Sequence, residues 1–217
     1  MKKIVPAILL CLCWVLGATA QNSVESIRKE YNGVKEWIAL MSDEFPADGI
    51  PPEYYELNVR QNLPGSGPHR EITRFYWDEL PSEEEGDPYP PHFLRFATHE
   101  FNFAAREFYE EYLFDDNGHL LFIYALTPDV NPLDMQPVYE LRMWFAPQDR
   151  GAHHDDSLIL FSAKKAETLD YIDLESLRKA SFSDEYSGAS IPEKFQNETN
   201  RLLEQAQWFL KLFSILD

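Results

Sequence analysis

Apolar positions change their period along this chain, and each period marks an element. Val24, Ile27, Tyr31, Val34, Ile38 and Met41 recur at steps of three and four, so 22–42 reads as an amphipathic helix with one apolar stripe. Asn22 and Glu25 fit a capping box at its start, and Gly33 weakens the helix without ending it. From Tyr55 the period becomes two: Tyr55, Leu57 and Val59 alternate with Glu56, Asn58 and Arg60, the pattern of a half-buried strand. Pro64-Gly65-Ser66-Gly67-Pro68 interrupts it, and a second strand resumes over 70–78, so the pair reads as a hairpin. A third strand is expected near 93–101. The runs 108–114 and 119–126 flank Asp115-Asp116-Asn117-Gly118, whose Asn-Gly supplies the positive φ of a tight hairpin turn. Leu120 to Tyr124 is apolar without alternation, as in a central strand covered on both faces. Tyr139, Leu141, Met143 and Phe145 form a further strand, and 158–161 returns beside it. A short helix is read over 174–180. At the end, Phe195, Thr199, Leu202, Ala206, Phe209 and Phe213 mark a second long helical stripe, with Ser190 and Glu193 as its capping box.

These elements predict an α+β domain: a twisted, mostly antiparallel β-meander of six or seven strands, with N- and C-terminal helices packed on one face. The first residues read differently. Lys2 and Lys3, an apolar run to Leu16 and Ala18-Thr19-Ala20 have the three parts of a secretory signal peptide over 1–20, leaving one domain over 21–217 and a periplasmic or extracellular address. That run is too short to span a bilayer, and no other segment approaches the roughly 20 residues needed, so the protein is expected not to be membrane-spanning. Both cysteines, Cys11 and Cys13, would leave with the leader, so no disulfide is expected. Removing Lys2 and Lys3 takes the net charge from −18 to −20, which argues against nucleic acid as a partner.

The segments YYELNVRQNLPGSGPHREITRFYW, AAREFYEEYLFDDNGHLLFIYA and YELRMWF resemble those of small uncharacterised exported proteins of Gram-negative bacteria, built from an N-terminal helix and a β-meander. That resemblance covers about two thirds of the chain. It implies fold and compartment, and no activity or site residues.

Candidate chemistry is sparse. His153-His154-Asp155-Asp156 offers metal-type ligands, but neighbours on an extended chain point opposite ways, so a solvated turn is the better account. His99-Glu100 lacks the second histidine of a zinc-protease helix. In a calcium-loop reading of Asp115 to Gly118, Leu113 would stand first and Tyr124 twelfth, where ligands are required. Asn197-Glu198-Thr199 matches a glycosylation acceptor by chance within a helix. No metal, cofactor or catalytic residue is assigned. The charges and aromatic rings along the strands remain: Arg60, Arg74, Trp77, Arg95, Glu111, Arg142 and Trp144 are the candidate binding residues of a sheet face. The same strands carry Glu110 and Glu140, and cross-strand Arg–Glu pairs on a solvated face are the ordinary alternative. The chain therefore reads as a binding or interaction module for an envelope protein, a peptide or a glycan. Two alternatives stay open, a hydrolase with scattered carboxylates and a structural subunit of a cell-surface assembly.

Overall fold

The computed structural model describes residues 23–42, 50–82, 88–104, 106–128, 138–147, 157–167 and 174–217. The leader over 1–20, Asn22 and the His153–Asp156 cluster lie outside them. A helix, α1, occupies 23–39 and ends in a 3-10 turn, Leu40–Ser42. Eight strands follow: β1 (Tyr54–Leu63), β2 (Gly67–Glu79), β3 (His92–Phe103), β4 (Arg106–Phe114), β5 (Leu120–Pro128), β6 (Val138–Phe145), β7 (Leu158–Ala166) and β8 (Phe182–Gly188). A short helix, α2 (Leu174–Arg178), precedes β8, and α3 (Glu193–Leu216) closes the chain.

All neighbouring strands pair antiparallel in the order β1 to β8, a single uninterrupted meander. The sheet thus has eight strands rather than six or seven. The additional one is β8, whose sequence FSDEYSG has no apolar alternation because it is a largely exposed edge strand held by backbone pairing to β7. The Asn-Gly hairpin forms as read, but of that pair only Gly118 takes a positive φ, and the connection spans 115–119. Gly118 has φ of +78°, and the Asp115 carboxylate accepts from the backbone N–H groups of Asn117 and His119.

The two long helices lie on opposite faces of the sheet, which corrects the expectation of a shared face. Buried Phe75, Tyr112, Ile123, Leu141, Met143 and Phe161 pack with Phe195, Leu202, Ala206, Phe209 and Phe213 of α3. Their sequence neighbours Tyr76, Leu113, Phe122 and Trp144 point the other way and pack with Val24, Ile27 and Val34 of α1. The physical reason is in the central strands: Leu121 and Phe122 serve one core, Leu120 and Ile123 the other, so both faces require a cover. Phe209 lies edge-on to Phe75 and Tyr112, with ring centroids 5.4 and 5.1 Å away. The α3 stripe is buried as read, but its start is not. Pro192 is the N-cap and makes no side-chain capping bond, and the Ser190 hydroxyl instead meets that of Tyr186 at 2.9 Å.

Candidate functional site

Strand β4 carries two consecutive buried glutamates, and alternation sends them to opposite faces. Glu110, 1% exposed, faces α3. It accepts from the Tyr112 hydroxyl at 2.5 Å and the Arg201 guanidinium at 2.5 Å, and His99 Nδ1 lies 3.2 Å away. Arg201 also pairs with Glu198 on its own helix at 2.8 Å. His99 Nε2 approaches Glu71 at 3.4 Å, and Glu71 meets His69 at 3.6 Å.

Burial pushes the Glu110 carboxyl up, but the His99 bond, the Arg201 charge and the Tyr112 hydroxyl outweigh it and hold the group down at about 2. Burial likewise works against charge on His99, and the bonds to Glu110 and Glu71 override it, raising the imidazole to about 9. Glu71 is held down chiefly by its bond to His99. The network is therefore an array of fixed charges joining β2, β3, β4 and α3. Among the described residues, no group of three or more histidines, cysteines or acids is arranged to hold a metal ion.

Glu111, 2% exposed, faces α1. Lys35 Nζ donates to it at 2.6 Å and the Tyr109 hydroxyl at 2.5 Å, and the Tyr31 hydroxyl donates as well. Burial first, and then the Glu111 charge, push both tyrosines well above their ordinary range. One strand thus anchors a helix on each side.

The seven candidates named from sequence fall into distinct surroundings. Arg74 pairs across strands with Glu56 at 2.8 Å, and Arg95 reaches Glu30 of α1 at 2.9 Å. Trp77 belongs to the α3 face, between Tyr55 and His92. Register places Arg60, Glu111, Arg142 and Trp144 on the α1 face with Arg74. Glu111 is the α1 anchor, and Arg60 lines a groove at one end of the sheet. Arg142 and Trp144 come together in a recess of about 340 Å³ between α1 and strands β5 and β6.

Tyr31 and Arg28 from α1 close this recess against Phe122 and Tyr124. The Arg28 guanidinium sits 5.2 Å from the Trp144 ring centre, and that of Arg142 sits 5.6 Å from Tyr124. Arg142 also pairs with Glu140 at 3.0 Å, yet its Nε is buried with no hydrogen-bond partner among the described residues. Among the described residues the ion-pair partner of Arg28 is the solvent-exposed Glu25 at 3.8 Å. The walls are aromatic, and the two charged residues that line the recess, Arg28 and Arg142, are both cationic. Such a recess suits an anionic group carried on a flat apolar body.

Sequence reading missed Arg28, His99 and Arg201 as members of sites. Glu110-Glu111 was the available signal: two acids inside a strand apolar on both sides must each find a buried partner. Arg201 stands 91 positions from Glu110, and no local pattern links them. No family profile, curated protein or solved structure matches the chain. No described helix is long and apolar enough to cross a membrane.

Proposed function

We propose that the chain is an exported binding module, periplasmic or extracellular, that takes a small organic anion with an aromatic or otherwise planar body into the recess beneath α1. One observation carries this reading: among the described residues the buried Arg142 Nε has no hydrogen-bond partner, and its guanidinium lines an aromatic recess together with Arg28. A carboxylate accepting from Arg142 and Arg28 would satisfy that donor, while Trp144 and Tyr124 stack on the ligand body. Binding is favoured over acid–base chemistry because Glu71 and Glu110 are held as anions and line neither the recess nor the groove, while Glu100 and Glu107, which do line the groove, are engaged by Arg178 and by the Leu174 backbone N–H.

The test is titration of the purified protein with benzoate and indole-3-acetate against their neutral amides, followed through arginine Nε–H resonances. The carboxylates bind at least about tenfold more tightly than the amides, the advantage of a charge-assisted bond. They move the Arg142 signal, and Arg142→Gln removes the preference. Equal binding of acids and amides, or no movement of Arg142, would overturn the proposal.

A further inference from the structure

The groove at the other end of the α1 face holds a second arrangement, independent of the recess. Arg60 of β1 and Arg70 of β2 are direct cross-strand partners, so their side chains leave the same face side by side. Like charges opposed in this way destabilise an antiparallel pair, and a carboxylate neighbour is the usual relief. Among the described residues neither arginine has an ion pair: the same-face neighbours on these strands are Asn58 and Asn62 beside Arg60, and Pro68 and Ile72 beside Arg70. The two carboxylates that also line the groove are engaged elsewhere, Glu100 by Arg178 and Glu107 by the Leu174 backbone N–H. This occurs in a chain whose acids outnumber its basic residues 37 to 19.

The groove around the pair measures about 630 Å³. One wall is fixed by Asn102, whose Oδ1 accepts from the Arg70 backbone N–H at 2.7 Å while its Nδ2 donates to the carbonyls of Pro68 and Ala104. Arg178 of α2 stands on another wall, 4.3 Å from the Tyr109 ring centre and 3.3 Å from Glu100. Phe101 and Phe108, stacked at 4.5 Å with their rings 5° from parallel, add apolar lining.

We propose that Arg60 and Arg70 clamp a tetrahedral oxyanion, the phosphate or sulfate group of a soluble ester whose organic part lies along the groove. Two guanidinium groups on adjacent strands present more donors than one carboxylate can use, and a tetrahedral oxyanion with three terminal oxygens suits them better. A soluble ester is favoured over a lipid headgroup because a net charge of −18 repels the chain from an anionic membrane surface.

Isothermal titration of the purified protein with glucose 6-phosphate, glucose 6-sulfate and glucose tests this. Both esters bind, the neutral sugar does not, and affinity falls as salt is added. Arg60→Gln and Arg70→Gln each weaken ester binding about tenfold, and the double substitution abolishes it. Lys211→Gln, an equal change of charge on the exposed side of α3, leaves binding unchanged. Because the arginines oppose each other in the free protein, neither single variant melts below wild type. Three results would overturn the proposal: glucose binding as well as its esters, ester binding that survives the double substitution, or single variants that melt several degrees lower. Association with phosphatidylglycerol vesicles without affinity for the soluble esters would also reject it, in favour of a membrane surface.

Discussion

Replacing Glu110 by glutamine keeps the side chain's size and removes the anion from between His99, Arg201 and Tyr112. The carboxyl is held at about 2 against an ordinary 4.5, a gap worth about 3 kcal/mol at about 1.36 kcal/mol per pKa unit. Mutational loss of one partner from a buried pair falls in the same range, about 3–5 kcal/mol. Since the folded value lies below the unfolded one, the stabilisation is complete above pH 4.5 and is lost as pH falls through about 2. Urea denaturation of wild type and Glu110→Gln should therefore differ by about 3 kcal/mol at pH 6, and by only about 1 kcal/mol at pH 3. His99 views the same contact from its other partner, so the two contributions are not summed. Its folded value is raised from 6.5 to about 9, so its share is complete below pH 6.5 and is lost as pH rises through about 9. The difference between the two proteins should shrink again on the alkaline side. A difference below about 1 kcal/mol at pH 6, or one that stays constant with pH, would refute the account of Glu110 as a fixed buried anion.

Lys35→Met preserves apolar contact near Phe96 but leaves Glu111 with tyrosine hydroxyls alone. With the Lys35 side chain 38% exposed, the loss is discounted to about 2 kcal/mol, and amide exchange should accelerate in α1 before β4. Unchanged exchange in α1 would show that Lys35 is not the helix anchor. Phe209→Ala removes a ring 1% exposed that meets Phe75, Tyr112 and His99 edge-on, and should cost about 3–5 kcal/mol in chemical denaturation. A cost below about 1 kcal/mol would mean that α3 is not the principal cover of its face.

The stripes of α1 and α3 and the Asn117-Gly118 turn were legible because each rests on a local rule of spacing or backbone conformation. Seven of the eight strands announced themselves through apolar alternation or apolar runs. Strand β8 did not, since an edge strand needs only backbone partners and can carry Ser, Asp and Glu. The placement of the helices was misread although its clue was present. A run such as Leu120 to Tyr124, apolar on both sides, is incompatible with helices confined to one face. The sites were less legible than the fold. Arg142 and Trp144 were named as candidates for the sheet face, but the recess needs Arg28, which stands more than 100 positions earlier. The Arg60–Arg70 pair depends on a register fixed by the short turn 64–66, whereas the sequence pattern assigned all of Pro64–Pro68 to the turn and left the register open.

Strand order that follows chain order has a kinetic consequence. Every pairing from β1 to β8 joins consecutive segments, so no strand waits for a distant partner and each step closes a modest loop. A chain threading out of a narrow channel from its N-terminus could lay down this sheet one hairpin at a time, with α3 arriving last to seal Phe75, Tyr112 and Phe161 from solvent. Assembly of that kind needs no oxidant to lock it, which suits a fold whose described residues contain no cysteine.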